Sequence, residues 1–567
     1  MNPDEKLIGW RASGLLVLLG LFSHGLLCFT DYVLWDGYWY YPELAASGGP
    51  AGMERLFSEI GRPLDLIYLL PFTVLRNIEA PKIAGLIAWV VIPVIINLVL
   101  QRGARFPPLH AFAVSSVSAV LPVFDVLGEI ALWPNTLALL IFWLGMVVLV
   151  TPPKMGAKNR KAWRVLSLLF LAISFNLNSL LVFFYALGVF LVISRAILGK
   201  TELSVACFAL VIKRHLDFMI LPLVFWVAKS AFTPVHGFYA GYNQPNISVD
   251  RMKSGLFSLW SFLLGEAAEM FSSLIVLMLA VGLALIVAYK TALFGKSKLT
   301  QGGATIPRSL GWLAMGGGLF LLVAAAFPYA AVDQPLASFG WLSRNCILTA
   351  LPISLLICGV ALQANRLFLS DRPFAWMVPV AAMLVLGVFV SNRNYLQWQA
   401  LGAKQDSIGT KLRKEMEKST ASVVQLRDYF IIPDTIYYYA PIVWTYIAAV
   451  GREAPETFVF DAAPLIPHQE TISPTGEKQI LFPQVPINSE TLRQMLQKTT
   501  MPYMLGKIPE SGRQLMFVVQ SGKYGNDGVA IGLGYLWRKW FDPKSLPAFL
   551  EELTRTAVLE LPPVGPS

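Results

Sequence analysis

The chain has 567 residues, of which 55% are hydrophobic and only 14% are charged, with a formal net charge of +10 and a mean hydropathy of +0.58. A soluble globular chain carries about 25% charged residues, so this composition excludes a soluble protein and describes a polytopic membrane protein. The positive balance does not indicate nucleic acid, because the basic residues fall in short loops between apolar spans, the positive-inside pattern.

Residues 1–11 are polar, carry Lys6 and Arg11, and read as cytoplasmic. A span is predicted over 12–30; it lacks a small-residue cleavage site, so it is a retained helix rather than a signal peptide. It delivers Thr30-Asp-Tyr-Val-Leu-Trp-Asp-Gly-Tyr-Trp-Tyr-Tyr41 to the outer side, two carboxylates (Asp31 and Asp36) in a belt of aromatics that includes Tyr32, Trp35, Tyr38 and Trp39. Aromatics of this kind sit at membrane–water interfaces. A carboxylate at that depth is costly unless it is hydrated, paired or in use. The loop continues to about residue 64, with helical patterns at Tyr41–Ala46 and Met53–Ile60. Gly61-Arg62-Pro63-Leu64 then opens an apolar run to Leu75. That run is shorter than the roughly 20 residues a span needs. It reads as an interfacial or half-inserted helix, with a crossing at 64–76 as the alternative.

Further spans are predicted near 83–101, 109–125, 133–151, a short pair within 165–195, 217–232, 271–290, 309–328, 345–362 and 373–391, about 11 crossings in all. In this scheme Arg102 and Arg105, the run Lys154–Arg164, Lys213 and Arg214, and Arg366 and Arg372 all face the cytoplasm. The C-terminal part then lies outside. The pair within 165–195 is interrupted by Ser174-Phe-Asn-Leu-Asn-Ser179. Half-length helices meeting at polar residues are tolerated only inside protein or beside a wet cavity. Residues 202–213 read as an amphipathic cytoplasmic helix, and a second interfacial helix carries Glu266 and Glu269. From 392 the composition changes. Asn392–Ala421 has a charged helical pattern; Val423–Ile432 and Leu515–Gln520 read as strands; Thr491–Lys498 and Leu546–Thr556 read as helices before a Pro-rich tail. The fold class is thus an all-α polytopic membrane domain over 1–400, followed by a small extracytoplasmic α+β domain over 401–567.

The residue types that carry chemistry collect in the predicted outer loops. Asp31, Asp36 and Arg62 lie in the first, Asp125 and Glu129 in the turn Phe124–Trp133, Tyr239, Tyr242 and Asn243 in the next, and Arg344 in Ser343-Arg344-Asn345. An Arg at the start of a span suits a lipid-linked phosphate, whose oxygens the guanidinium fork matches; the plain alternative is a snorkelling anchor. The plain alternatives for Asp36 and Arg62 are a helix cap and a helix-entry residue. Cys28, Cys207, Cys346 and Cys358 all lie in apolar runs with neither metal-ligand spacing nor a disulfide framework.

A first span, then an outer Asp in the context Trp35-Asp36-Gly37, then Gly61-Arg62-Pro63-Leu64, resembles the GT-C superfamily of integral-membrane glycosyltransferases. It is most similar to the bacterial polyprenyl-phosphate-sugar branch that includes the GtrII-type glucosyltransferases. The chain departs from the family in separating Asp31 and Asp36, where the family often has adjacent aspartates. Trp35-Asp36-Gly37 is the better match, so the resemblance carries the base role to Asp36, with Asp31 as the second candidate. It implies a polyprenyl-phosphate-linked sugar donor facing outward, an acceptor that is a glycan, lipid or protein, and inversion at the anomeric carbon. Arg62 and Arg344 would hold the donor phosphate; Trp35, Tyr239, Tyr242 and Asn243 would line the substrate. A divalent cation (Mg or Mn) is left open, with Asp125 and Glu129 as weak ligand candidates. The implied location is a bacterial inner membrane, N-terminus cytoplasmic. A transporter or flippase of a lipid-linked saccharide is the alternative, suggested by the interrupted helix at 174–179.

Overall fold

The computed structural model describes residues 3–33, 37, 54, 57–75, 79–151, 157–199, 204–237, 240, 245–272, 278, 282, 309–368, 375–419, 423–430, 432, 458–461, 469–472, 478–481 and 512–564. Seven helical segments among them are long and apolar enough to cross a bilayer: Trp10–Phe29, Ala80–Arg102, Ile130–Val150, Ser179–Leu198, Ser309–Ala331, Ala350–Phe368 and Met377–Ser419. The chain is an integral membrane protein.

Of the other predicted crossings, three form helices that miss those limits. Pro108–Val120 has only 13 residues because Leu121, which precedes Pro122, is extended (φ −64°, ψ 130°), as the residue before a proline is pushed to be. Ala157–Ser174 starts on a basic turn, and Leu216–Phe232 has 17 residues. The predicted crossing at 271–290 lies almost wholly outside the described residues. The short helices expected at 64–76 and 202–213 form as Leu64–Leu75 and Val205–Arg214.

The chain divides into two compact units, residues 1–28 with 52–393, and residues 29–51 with 394–567. In the first, Ala80–Arg102 packs on Trp133–Val150 and Pro108–Val120, and Ser309–Ala331 packs on Ala350–Phe368 and Ser179–Leu198. Lipid supplies no hydrophobic drive for such pairs, so close backbone approach must hold them. The glycines make this possible. A Cβ on Gly359 would sit 2.7 Å from the backbone nitrogen of Met315, and one on Gly318 would sit 2.8 Å from the carbonyl oxygen of Pro352. Gly359→Leu is therefore expected to cost about 1–3 kcal/mol by overpacking. Thermal unfolding of the detergent-solubilised protein would register it, with Val360→Leu on the exposed side of the same helix unchanged.

Met377–Ser419 is a 43-residue helix, and a bilayer accounts for only about 20 residues of such a helix. Its apolar start from Met377 does the crossing. The polar remainder from Asn394, with Lys404, Asp406 and Lys411, belongs to the second unit. There the strands are β1 (Val423–Asp428), β2 (Phe458–Asp461), β3 (Gln469–Ile472), β4 (Lys478–Leu481), β5 (Gly512–Ser521) and β6 (Thr554–Val564). The four-stranded sheet has the order β2-β1-β5-β6, while β3 and β4 form a separate pair. β1 runs parallel to β2 and β5, and β6 runs antiparallel to β5 with Val518 opposite Ala557. Gln514–Val519 of β5 are buried without alternation, the signature of a strand covered on both faces.

Two expectations change here. The helix predicted to Thr556 stops at Leu553, and the expected Pro-rich tail is instead β6. Its Pro562 and Pro563 are tolerated because β6 is an edge strand. The helix Gly528–Phe541, capped by Asp527 accepting from the Ala530 N–H, was not expected from the sequence.

Candidate functional site

In the membrane unit the polar chemistry starts at Gly61. The Gly61 N–H donates to the Ser58 carbonyl (3.1 Å) and the Arg62 N–H to the Phe57 carbonyl (2.8 Å), while Gly61 takes φ +67°. This is the glycine-terminated helix stop in which the last carbonyls are satisfied from beyond the turn. Pro63 follows and Leu64–Leu75 begins. The sequence Gly-Arg-Pro-Leu thus ends one helix, starts the next, and fixes Arg62 between them.

Arg62 Nε pairs with Asp65 Oδ2 at 2.9 Å, and its Nη2 donates to Asn135 Oδ1 at 2.6 Å. Asn176, in the break between Ala157–Ser174 and Ser179–Leu198, donates to Asp65 Oδ1 at 2.5 Å. Lys229 Nζ donates to Asn178 Oδ1 at 2.9 Å, and the Tyr329 hydroxyl donates to Ser179 Oγ at 3.4 Å. Asp65 feels the charges of both Arg62 and Lys229; burial pushes its carboxyl above the ordinary range, against the pull of Arg62 and the Asn176 hydrogen bond. Arg344 and Arg62 both act electrostatically on Tyr329. The cluster therefore gathers two cations, three amides and one carboxylate at the polar break, with a third cation acting on its edge.

Arg344 lies in the short helix Trp341–Cys346, held by Asn345 Nδ2 donating to the Pro335 carbonyl at 2.7 Å. Asp125 and Glu129 are each only 3% exposed. Among the described residues no group of three or more His, Cys, Asp or Glu is arranged to hold a metal ion, and Asp125 and Glu129 do not form one. Glu266 is also buried, with neither carboxylate oxygen hydrogen-bonded. Burial, reinforced by Glu269 and Asp125, pushes its carboxyl well above the ordinary range. An apolar groove of about 360 Å³ runs between Ser179–Leu198 and Ser309–Ala331, past Phe190, Trp312 and Phe320, and Gly316 and Gly317 leave it open.

In the second unit, Asp31 is bound on both oxygens. Gln399 Nε2 donates to Oδ1 at 2.6 Å, and the Tyr535 hydroxyl (2.9 Å) and Lys539 Nζ (3.0 Å) both reach Oδ2. The Asp31 N–H donates back to Gln399 Oε1 at 2.9 Å. Tyr32 stacks on Trp398 with centroids 6.2 Å apart. The side chain of Asp31 thus joins Met377–Ser419 to Gly528–Phe541 through Gln399, Tyr535 and Lys539. Asp36, Trp35, Tyr239, Tyr242 and Asn243 lie outside the described residues.

The chain matches no family model, no curated protein and no solved structure.

The sequence reading passed over Asp65 and Lys229. Both had a signal: a charge inside an apolar helical run is expensive and marks a working or paired site. Asp65 also falls three residues after Arg62, the spacing at which helix side chains meet.

Tyr535 has one hydroxyl hydrogen but two carboxylate oxygens in reach, Asp31 Oδ2 at 2.9 Å and Asp406 Oδ2 at 3.0 Å. A second proton, carried by Asp406 at acid pH, completes both contacts. Asp406 keeps an open face to solvent, yet crowding by protein and then the charge of Asp31 push its carboxyl from 3.8 to about 6. An acid whose folded pKa exceeds its unfolded value binds its proton more tightly when folded, so stability falls as pH rises from about 4 through about 6 and is flat above. Asp406→Asn mimics the protonated form. It is expected to be more stable than wild type at pH 7.5 by on the order of 1 kcal/mol, discounted for solvent screening, and equal to it near pH 4. Melting temperatures of both proteins across that range check this; an offset independent of pH would refute it.

Proposed function

We propose that this chain is a membrane glycosyltransferase of the GT-C type. It transfers a sugar from a polyprenyl-phosphate donor to an extracytoplasmic glycan, lipid or protein acceptor. The observation that carries this reading is the Arg62–Asp65–Lys229 cluster at the polar break, where two cations face one buried carboxylate. The surplus positive charge suits a phosphate head. The apolar groove supports a lipid tail: it reaches Phe320, nine residues or roughly 14 Å along the helix from Tyr329.

In the proposed step the acceptor hydroxyl oxygen attacks the anomeric carbon, its proton passes to Asp36, and the bond from that carbon to the phosphate oxygen breaks with its electron pair staying on phosphate. Arg62 and Arg344 stabilise the departing phosphate, where preorganised charge is worth most. Lys229 joins them. Asp31, with three donors on its carboxylate, is assigned to positioning the outer segment rather than to proton transfer. The proposed topology keeps about 11 crossings, a cytoplasmic N-terminus and an extracytoplasmic C-terminal domain in a bacterial inner membrane.

The flippase reading draws on the polar break at the buried Asn176 and the exposed Asn178. One experiment separates the two. Purified chain in proteoliposomes is offered a panel of labelled polyprenyl-phosphate sugars. Asp36→Asn is expected to lower release of polyprenyl phosphate by about 10²–10⁴-fold, while Asp31→Asn, once folded, retains it. Donor that changes leaflet without being consumed would replace the transferase with a flippase.

A further inference from the structure

The helix Gly528–Phe541 is apolar on two sides. One side is buried in its own unit through Ile531, Tyr535 and Leu536. The other carries Leu533, Trp537, Trp540 and Phe541, with Trp537 60% and Phe541 73% exposed. These residues recur at the three- and four-residue spacing of one helical stripe. The Trp537 and Phe541 rings lie 4.9 Å apart, centroid to centroid, so the stripe is continuous. A folded domain rarely leaves such a stripe in water.

The stripe is tied to the residue that ends the first candidate span. Phe29 closes the Trp10–Phe29 span. Trp540 Nε1 donates to the Phe29 carbonyl at 3.2 Å, and the two rings meet edge to face at 6.0 Å. Trp540 therefore contacts the last residue of the first candidate span. Tryptophan prefers the membrane–water interface, its ring half dry and its N–H wet. Along the chain Arg538, Lys539 and Lys544 accompany the stripe against the single acid Asp542, a basic surplus that suits anionic headgroups.

We propose that Gly528–Phe541 is an interfacial helix that lays Leu533, Trp537 and Phe541 into the headgroup region of the bilayer crossed by its own first span. This surface is independent of the transferase reading. It fixes the second unit to the membrane at a second point besides the helix Met377–Ser419.

The test uses the wild-type full chain in nanodiscs of three parts phosphatidylcholine to one part phosphatidylglycerol, doped with a phosphatidylcholine whose diazirine sits on the acyl carbons next to the glycerol. After irradiation and digestion, mass spectrometry counts lipid adducts. The peptide covering Leu533–Phe541 is expected to carry about ten-fold more adduct than Arg555–Glu560 of β6, which is exposed throughout, as an inserted helix would. The span around Phe22 serves as the labelled reference. The double variant W537N/F541S, altered only at exposed positions, should fold with an unchanged melting temperature and lose most of that adduct. Labelling of Leu533–Phe541 no greater than that of Arg555–Glu560, with the reference span labelled, overturns the proposal. So does undiminished labelling in the double variant. Either result would mean that water, another protein or another part of the chain meets this stripe.

Discussion

Arg62→Ala is expected to lose both stability and transfer, and the two losses separate when Asp65 is changed with it. The Asp65 side chain is 4% exposed and its ion pair with Arg62 spans 2.9 Å. Removing the guanidinium leaves a buried carboxylate with the Asn176 amide and the more distant Lys229 charge. Stripping one partner from a buried pair costs about 3–5 kcal/mol; Arg62 is 23% exposed, which puts the expected loss near the lower end. Arg62→Ala with Asp65→Asn removes the stranded charge, so stability should return to within about 1 kcal/mol of wild type, because the amide keeps a hydrogen bond for Asn176. Transfer should not return. A phosphate-stabilising donor is worth about 10²–10³ in rate, and asparagine at 65 does not replace it. Melting temperature and donor consumption, measured on wild type, single and double variants, give both quantities. Recovery of transfer along with stability would reduce Arg62 to a structural partner of Asp65.

How much of this was legible in the sequence depends on the range of the interactions. Hydropathy and charge located six of the seven candidate spans, because burial in lipid is a local property of 20 residues or so; the seventh, Ser179–Leu198, was read as half of a short pair but is a full-length span. The Gly61 turn was legible as a break for the same reason: its geometry is made by four consecutive residues. The helix Gly528–Phe541 was hidden by its own glycines. Gly528, Gly532 and Gly534 argue against a helix by propensity, but a Cβ on Gly532 would fall 2.0 Å from the Leu396 carbonyl oxygen. Packing against Met377–Ser419 requires glycine there and overrides the local preference. β6 was misread because Leu546–Thr556 has helical leucine spacing, while the alternation that follows in Thr554-Arg-Thr-Ala-Val gains its meaning only from pairing with β5. The partners of Asp31 lie 368 to 508 residues away along the chain, and no single sequence carries a signal for such pairings. The residues that form the Asn176–Lys229 end of the cluster were half legible, since the polar break was visible and its carboxylate partner was not.

Asp31→Ala is expected to cost about 2–4 kcal/mol while leaving the chemistry of the folded protein intact. Its carboxylate accepts from Gln399, Tyr535 and Lys539, and hydrogen bonds to a charged group contribute about 1.5–3 kcal/mol each before neighbours compensate. Lys539 and Asp31 are both 22% exposed, so water recovers part of the loss when the pair is broken. Alanine would also leave the Tyr535 proton to Asp406 alone and remove the Asp31 charge that helps to raise the Asp406 carboxyl. The variant should therefore be less stable than wild type and less sensitive to pH between about 4 and 6. A double-mutant cycle with Lys539→Ala should return a coupling of about 1 kcal/mol or more, since the two side chains share one contact. Hydrogen exchange at Phe29–Val33 should quicken, because the segment loses its side-chain hold on Met377–Ser419 and Gly528–Phe541. The decisive outcome is transfer by whatever fraction remains folded. If that fraction turns over at the wild-type rate, Asp31 is a clamp and the base lies at Asp36. If it melts like wild type but cannot transfer, the ion pair with Lys539 is a catalytic device, and the proton of the acceptor passes to Asp31.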